Sequence, residues 1–194
     1  MIKLFLKAKH WQLFLLVMVV PIIIQFILFA TVFRNSNFNG IFILILLIGL
    51  IPVFVLLGWF WAIAIGLNDR LHDGIKMNLK RFKLFWTIPL IYFSLLIFLF
   101  ISNGGLRFVS EGGGEVGVIV LLHLLSMFSM FYCLNFCAKT LKAIELKRNV
   151  TFSDYASEFF LIWFFVIGIW VFQPKINAIS QGTDENNDQI LDQF

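Results

Sequence analysis

The residues whose side chains could react or bind an ion lie on the fourth of five apolar runs in this chain. A helix would place five of them on one face, because they follow at intervals of three or four: His123, Ser126, Met130, Cys133 and Cys137. Imidazole, thioether and thiolate groups together suit a soft ion such as Cu(I). Cys133 and Cys137 lie one helical turn apart, so both could reach one ion. The spacing predicts a candidate metal site at His123, Met130, Cys133 and Cys137.

The same face has a simpler interpretation as a packing surface. Serine and cysteine are small and let neighbouring helices approach closely, and Met and Cys also fill apolar space. No other apolar run carries a matching stripe of Cys or His. The two cysteines also lie within a run, away from the loop-rich setting of a disulfide framework. We therefore favour helix packing over metal binding and assign no metal and no cofactor.

A second packing pattern lies on the second apolar run. Small residues recur there at intervals of four, at Gly58, Ala62 and Gly66. Such a ridge permits close backbone contact with another helix, either within the chain or between protomers. We predict that these three residues form a helix-packing site.

No recognisable catalytic constellation accompanies these residues. Charges inside a bilayer are expensive and usually mark ion or proton pathways, yet Glu158 is the only acidic residue within any run. The sequence contains no His-Glu-x-x-His helix and no Gly-x-Ser-x-Gly turn. We therefore expect no catalytic residue and no enzymatic activity.

The elements that must position these residues are apolar helices. Residues of the AVILMFWYC set make up 60% of the 194 residues, more apolar surface than a soluble domain of this size can hide. Crossing a bilayer takes roughly 20 apolar residues, and the runs lack the alternation of barrel strands. The sequence predicts an all-α membrane protein, a bundle of about five transmembrane helices at about 11–33, 41–67, 84–101, 116–138 and 155–172.

The fifth run is the marginal one. Glu158 falls inside it, and the uninterrupted apolar stretch 159–172 is short for a crossing. We favour a complete fifth crossing and keep a re-entrant hairpin as the alternative. Residues 1–177 are predicted to form a single transmembrane domain, and 178–194 an acidic tail that we expect to be disordered.

Positive charges alternate between the segments that flank the runs. Twelve Lys and Arg residues fall before the first run and in the second and fourth connections, whereas only Arg34 and Arg107 fall in the first and third. Lys and Arg accumulate on the cytoplasmic side, so the amino terminus is predicted to be cytoplasmic. The net charge is +4, and the positive residues lie at helix ends. We therefore predict the lipid bilayer as a partner and no nucleic-acid partner.

Four segments carry a resemblance. They are residues 6–14 (LKAKHWQLF), 138–155 (from AKTL through FSDY), 159–170 (FFLIWFFVIGIW) and 173–177 (QPKIN). These segments resemble a group of small, uncharacterised bacterial multi-spanning membrane proteins. The resemblance implies a location in the bacterial inner (cytoplasmic) membrane and carries over no activity.

Three functions remain open from the sequence. The favoured one is a structural or accessory component that packs against other membrane helices, a partner complex or a second copy of itself. The second is a small transporter or channel whose path is lined by polar residues of the fourth run, motivated also by helix-kinking Pro21, Pro52 and Pro89. The third is a copper-binding membrane protein that uses the thiols of the fourth run.

Overall fold

A computed structural model describes residues 2–32, 38–102 and 113–182 of the chain, and these ranges contain helices and no strand. The α-helices are α1 (Ile2–Lys7), α2 (His10–Phe14), α3 (Val20–Val32), α4 (Phe38–Gly66), α5 (Leu79–Ser102), α6 (Gly113–Leu146), α7 (Phe152–Trp163) and α8 (Phe165–Gln181). A π-helical turn, Leu15–Val19, joins α2 to α3, and a 3₁₀ turn, Asn68–Arg70, follows α4.

Within the described ranges, four helical stretches are long and apolar enough to cross a membrane, which confirms the predicted all-α membrane fold. They are His10–Thr31, Ile43–Arg70, Leu79–Ser102 and Gly117–Leu146. Each lies on one of the first four apolar runs and meets the length that a bilayer requires. Residue 33 of the first predicted run, and the predicted acidic tail from residue 183 onward, lie outside the described residues.

Prolines lie within the first three apolar helices. Pro21 lacks a backbone N–H, and its ring crowds the carbonyl of Val17, four residues earlier. The backbone widens into the π-helical turn Leu15–Val19 immediately before it, a common response to such a defect. Pro52 and Pro89 lie inside α4 and α5, in the runs where the sequence places them.

The chain divides into two compact units. The second unit comprises residues 15–57 and 83–132, and aromatic and polar side chains join its helices. Trp86 Nε1 donates a hydrogen bond to the Leu57 carbonyl at 2.8 Å, and the Phe85 and Tyr132 rings are 4.3 Å apart between centroids. Many apolar side chains of this unit remain exposed, which suits helices surrounded by lipid.

The first unit comprises residues 1–14, 58–82 and 133–194, of which the structure describes residues up to 182. Its core is densely apolar, with large side chains almost completely buried: Trp59, Phe82, Ile169, Phe172 and Ile176. These residues come from segments far apart in the sequence. The first unit is therefore held together by long-range packing of α1, α8 and the ends of α4 and α6.

The fifth apolar run is not one straight helix. It is bent by 118° where α7 meets α8, at Phe164, whose backbone leaves the helical conformation. The Phe164 N–H still closes α7 on the Phe160 carbonyl at 2.9 Å, and the Gly168 N–H donates to the Phe164 carbonyl at 2.9 Å. We call α7, Phe164 and α8 the carboxyl-terminal hairpin.

Both ends of the carboxyl-terminal hairpin lie near the last turn of α6. α7 starts shortly after the last turn of α6, where Glu145 lies. Near the end of α8, Lys175 Nζ lies 3.3 Å from Glu145 Oε2, and Arg70 donates to the Ser180 carbonyl at 3.2 Å. A pair of helices bent in this way is either a broken crossing or a re-entrant hairpin, so both alternatives from the sequence stay open.

Helix α8 extends beyond the predicted end of the fifth run at Phe172. It continues through Pro174 to Gln181, although a proline inside a helix costs about 3 kcal/mol. Ile176 and Ile179 lie in the core of the first unit. Burial of their side chains offsets the cost of the proline, since a fully buried isoleucine contributes roughly 1.5–3 kcal/mol.

The bend requires glycine at position 168. A methyl group added there would overlap the backbone carbonyl oxygen of Leu161 and lie 3.3 Å from the Ile162 nitrogen. Both are backbone atoms, so no side-chain rotation can make room. The close approach of α8 to α7 therefore depends on the missing side chain of Gly168.

We expect the substitution Gly168→Ala to lower the free energy of unfolding by at least about 2 kcal/mol, because overpacking against backbone cannot relax locally. Thermal unfolding of the protein in mild detergent, followed by tryptophan fluorescence, measures the effect.

The matched control is Gly117→Ala in α6, where an added methyl group meets no atom within 4 Å. Alanine is the better helix former by up to about 1 kcal/mol, so the control variant should unfold at the parental temperature or above. Equal unfolding temperatures for the two variants would contradict the proposed role of Gly168.

Candidate functional site

The small-residue ridge predicted on the second run lies against α1. A methyl group on Gly58 would lie 2.9 Å from the Phe5 ring, and one on Gly66 would lie 2.6 Å from Ile2 and 2.8 Å from Leu6. Ala62, between them, is completely buried. The ridge therefore receives the first helix of the same chain.

A buried amide connects three segments of the first unit. Gln173 is 0% exposed, and its Oε1 accepts a hydrogen bond from Trp59 Nε1 at 2.9 Å. Its Nε2 lies 2.8 Å from the carbonyls of both Phe5 and Ala8 and 3.1 Å from Asn177 Oδ1. The end of α1 leaves backbone carbonyls without helical partners, and Gln173 supplies the donor.

Gln173 is not among the candidate residues that the sequence predicts. The sequence offers one signal for it, a single amide residue that follows apolar residues and precedes a proline within the last helix. A buried side-chain amide needs hydrogen-bond partners, so its position marks a contact with another segment. The identity of that segment, the end of α1, could not be read from the sequence.

Ionic contacts stabilise the buried carboxylate of Glu158, the one acidic residue of the fifth run. Glu158 is 6% exposed, and its carboxylate accepts hydrogen bonds from Lys142 Nζ at 3.1 Å and Ser157 Oγ at 2.8 Å. Lys142 also lies 3.3 Å from Glu145, which Lys175 contacts at 3.3 Å. We call these four charged residues, Lys142, Glu145, Glu158 and Lys175, the ionic cluster.

A cavity of about 510 Å³ adjoins the ionic cluster. Its apolar wall includes Leu141, Phe172 and Ile179, all buried in the first unit. Charged residues also line it, among them Arg70 and Lys175. The volume falls in the range of small-molecule sites, roughly 300–1,000 Å³, so the cavity could hold a small amphipathic ligand.

The structure does not bring the four metal candidates of the fourth run together. His123 is exposed, and its Nδ1 lies 3.1 Å from the Tyr92 hydroxyl. The Cys137 thiol contacts the Phe60 carbonyl at 3.5 Å, and Cys133 is completely buried. His123 and Cys133 are ten residues apart on one helix, about 15 Å along its axis, with Met130 between them.

The part of the chain that the structure describes contains no group of three or more His, Cys, Asp or Glu residues placed to hold a metal ion. The residues from His123 to Cys137 share one face of the helix, but they are spread over four turns. Their side chains therefore cannot all reach one ion. A second segment with matching ligands would be needed.

The other polar residues of the fourth run differ in their surroundings. Asn135 accepts a hydrogen bond from the Tyr155 hydroxyl at 3.3 Å. Ser126 is 1% exposed, and its hydroxyl has no hydrogen-bond partner among the described residues. Ser129 donates to the Leu125 carbonyl of its own helix at 2.8 Å. These residues form no continuous polar set.

Comparison of the chain with protein-family models, with curated proteins and with solved structures finds no match. The resemblance of the segments named above therefore stays a prediction.

The Lys142–Glu158 ion pair provides a test of the ionic cluster. The substitution Lys142→Ala should lower the free energy of unfolding by about 3 kcal/mol, because it leaves the Glu158 carboxylate buried without its cation. The control Glu145→Gln, at a half-exposed carboxylate, should lower it by less than about 1 kcal/mol. Chemical or thermal unfolding in detergent compares the two variants.

The double substitution Lys142→Met with Glu158→Leu removes both charges and keeps the side-chain volume. Replacing a buried ion pair by apolar residues is often neutral or stabilising, so this variant should be more stable than Lys142→Ala. If the double variant is the less stable of the two, the cost does not arise from the unpaired carboxylate.

Proposed function

We propose that the chain is a multi-spanning protein of the bacterial inner membrane that acts as a structural or accessory component by contact with other membrane helices. We propose no catalytic residue. The observation that carries the proposal is the distribution of side chains: reactive groups engage in internal contacts, and large apolar groups face outward.

The internal contacts support a binding function over a chemical one. The Cys137 thiol, the His123 imidazole and the Glu158 carboxylate each contact another group of the same unit. A nucleophile or general base needs a partner that prepares it and an open side that admits substrate. The thiol is buried in the core of the first unit, where no substrate reaches it.

The exposed apolar residues support a surface for other helices. Among the described residues of the second unit, five large side chains are at least 62% exposed: Phe26, Ile91, Phe98, Leu121 and Phe128. Leu121 and Phe128 are seven residues apart on α6 and so share one face of that helix. Lipid tails cover such a face, and so do the apolar faces of a partner's helices.

The orientation is part of the proposal. The alternation of positive charge supports a cytoplasmic location of the amino terminus and the second connection. Because Ser180 contacts Arg70, the end of α8 lies beside the second connection and shares its side of the membrane.

Cysteine labelling tests this topology. In the background Cys133→Ser with Cys137→Ser, the single substitutions His72→Cys and Ser180→Cys should react with a membrane-impermeant maleimide from the same face. That face should be the cytoplasmic one in sealed inverted vesicles. Ser36→Cys, in the first connection, is the opposite-face control. Labelling of Ser180→Cys from the face that labels Ser36→Cys would contradict the re-entrant hairpin.

The accessory function predicts a stable neighbour. With the photocrosslinking residue p-benzoylphenylalanine in place of Phe128, irradiation of intact cells should link the chain to one other protein or to a second copy of itself. The same residue in place of Lys76, in the second connection, is the control. Adducts of lipid alone at position 128, with a solitary monomer in mild detergent, would contradict the accessory function.

The transporter alternative draws on a different observation in the second unit. The Tyr92–His123 pair and the buried Ser126 hydroxyl, which has no hydrogen-bond partner within the described ranges, are polar groups within otherwise apolar helices. Polar residues at such depth are expensive and often functional. A solitary monomer in the crosslinking experiment would favour this alternative.

A further inference from the structure

We propose that the tip of the carboxyl-terminal hairpin inserts into one leaflet of the bilayer and contacts lipid acyl chains there. We call residues 159–172, on both sides of the bend at Phe164, the hairpin tip. The inference rests on the topology in the proposed function, which puts both ends of the hairpin on one side of the membrane. It does not depend on the accessory function, because the hairpin tip is a different surface, in the first unit.

The hairpin tip is apolar throughout, and polar residues flank it on both sides. Its sequence, FFLIWFFVIGIWVF, contains no charged, amide or hydroxyl side chain. Glu158 precedes it and Gln173 follows it, and both side chains accept hydrogen bonds within the first unit. The N–H groups of Phe164 and Gly168 are paired with backbone carbonyls at the bend. Insertion into hydrocarbon would therefore remove few polar groups from water, where each loss is costly.

Large side chains of the hairpin tip face away from the core of the first unit. Phe164 is 62% exposed and Ile167 is 63% exposed. Other exposed apolar residues surround them: Phe160, Trp163, Val166, Trp170 and Val171. The rings of Phe160, Trp163 and Phe164 are nearly parallel, with 13° and 15° between neighbouring planes. The hairpin tip therefore presents an extended apolar surface, which is typical of a contact with a membrane or another protein.

Contacts between α8 and α4 give the direction in which the hairpin tip points. At the base of the hairpin, the Ser180 carbonyl accepts a hydrogen bond from Arg70, the last residue of the second stretch that could cross a membrane. At the tip, the Phe165 ring lies 5.6 Å from the ring of Trp59, which precedes Arg70 by eleven residues. A helix rises 1.5 Å per residue. The hairpin tip therefore lies about 16 Å from the end of that stretch, in the direction of the membrane.

The dimensions of the hairpin suit one leaflet and not a complete crossing by either arm. With 12 and 17 residues, α7 and α8 are about 18 and 25 Å long, less than the hydrocarbon core of about 30 Å. The Trp170 ring lies 4.5 Å from that of His10, where the first stretch that could cross begins, and indole rings settle at such boundaries. Phe164 lies six residues from Trp170. It can therefore reach about 9 Å beyond the boundary, within one leaflet.

Continuity with the first crossing favours lipid over a protein partner at the hairpin tip. The Trp170 ring also lies 5.9 Å from the ring of Phe14, and Phe14 belongs to the stretch His10–Thr31 that could cross a membrane. Trp11 of the same stretch is 44% exposed. Lipid that surrounds this stretch therefore reaches the hairpin tip directly. A protein that covered the tip would also have to displace lipid from the first crossing.

Spin labelling of the full chain in liposomes of phosphatidylethanolamine and phosphatidylglycerol tests the proposal. In the background Cys133→Ser with Cys137→Ser, a nitroxide is attached to Ile167→Cys at the tip or to Phe152→Cys at the base. The two native side chains are similarly exposed, at 63% and 52%. Electron paramagnetic resonance measures collisions of each nitroxide with oxygen, which concentrates in hydrocarbon, and with a water-soluble nickel chelate. We expect the oxygen-to-nickel ratio to be several-fold higher at position 167 than at position 152.

Two controls support this comparison. Phe152 begins α7 near the exposed ion pair of Arg148 and Asp154, so its nitroxide should lie in water. Phe160→Cys, on the other arm of the hairpin tip, should give a ratio close to that of Ile167→Cys, because both arms enter the leaflet. Thermal unfolding of each variant, compared with that of the cysteine-free background, identifies any variant that does not fold.

Three outcomes would overturn the proposal. Ready access of the nickel chelate to positions 167 and 152 alike would mean that the tip lies in water. Exclusion of both oxygen and the chelate from position 167 would mean that a second copy or another protein covers it. Either of these results leaves the topology of the proposed function intact. Reaction of Ser153→Cys and Ser180→Cys with an impermeant maleimide from opposite faces would indicate a broken crossing and would contradict that topology as well.

Discussion

The first unit depends on the burial of one amide side chain. Gln173 has no exposed surface, and its carboxamide contacts the Trp59 indole on one side and the carbonyls of Phe5 and Ala8 on the other. A buried polar group without partners costs about 1–3 kcal/mol. The same contacts therefore fix three segments at once, because separating any one of them leaves a donor or an acceptor unpaired away from water.

The direction of the last helix follows from this constraint. For Gln173 to meet the end of α1, α8 must leave the line of α7, and the bend at Phe164 turns it by 118°. Gly168 permits the close approach of the two helices. The bend then places Lys175 beside Glu145, so α8 adds the fourth residue to the ionic cluster and one side of the cavity next to it.

Much of the architecture was predictable because hydropathy is a local property. The four crossings, the prolines within them and the shared face from His123 to Cys137 can be read from runs and spacings of a few residues. The ridge of Gly58, Ala62 and Gly66 was likewise visible as a packing surface. Its partner was not, because α1 is too short to be recognised by length, and its apolar side chains resemble those of any other helix.

The sequence by itself determined that the apolar runs suit lipid, that the fold is helical and which residues are able to pack closely. Each of these depends on composition or on the regular repeat of a helix. Only the tertiary structure decided that the fifth run is bent by 118° at Phe164, that Glu158 has a lysine partner, and that His123 lies apart from the two thiols. These outcomes depend on contacts between residues far apart in the chain. Lys142 and Glu158 meet only because α7 folds beside α6, and no local pattern encodes that meeting.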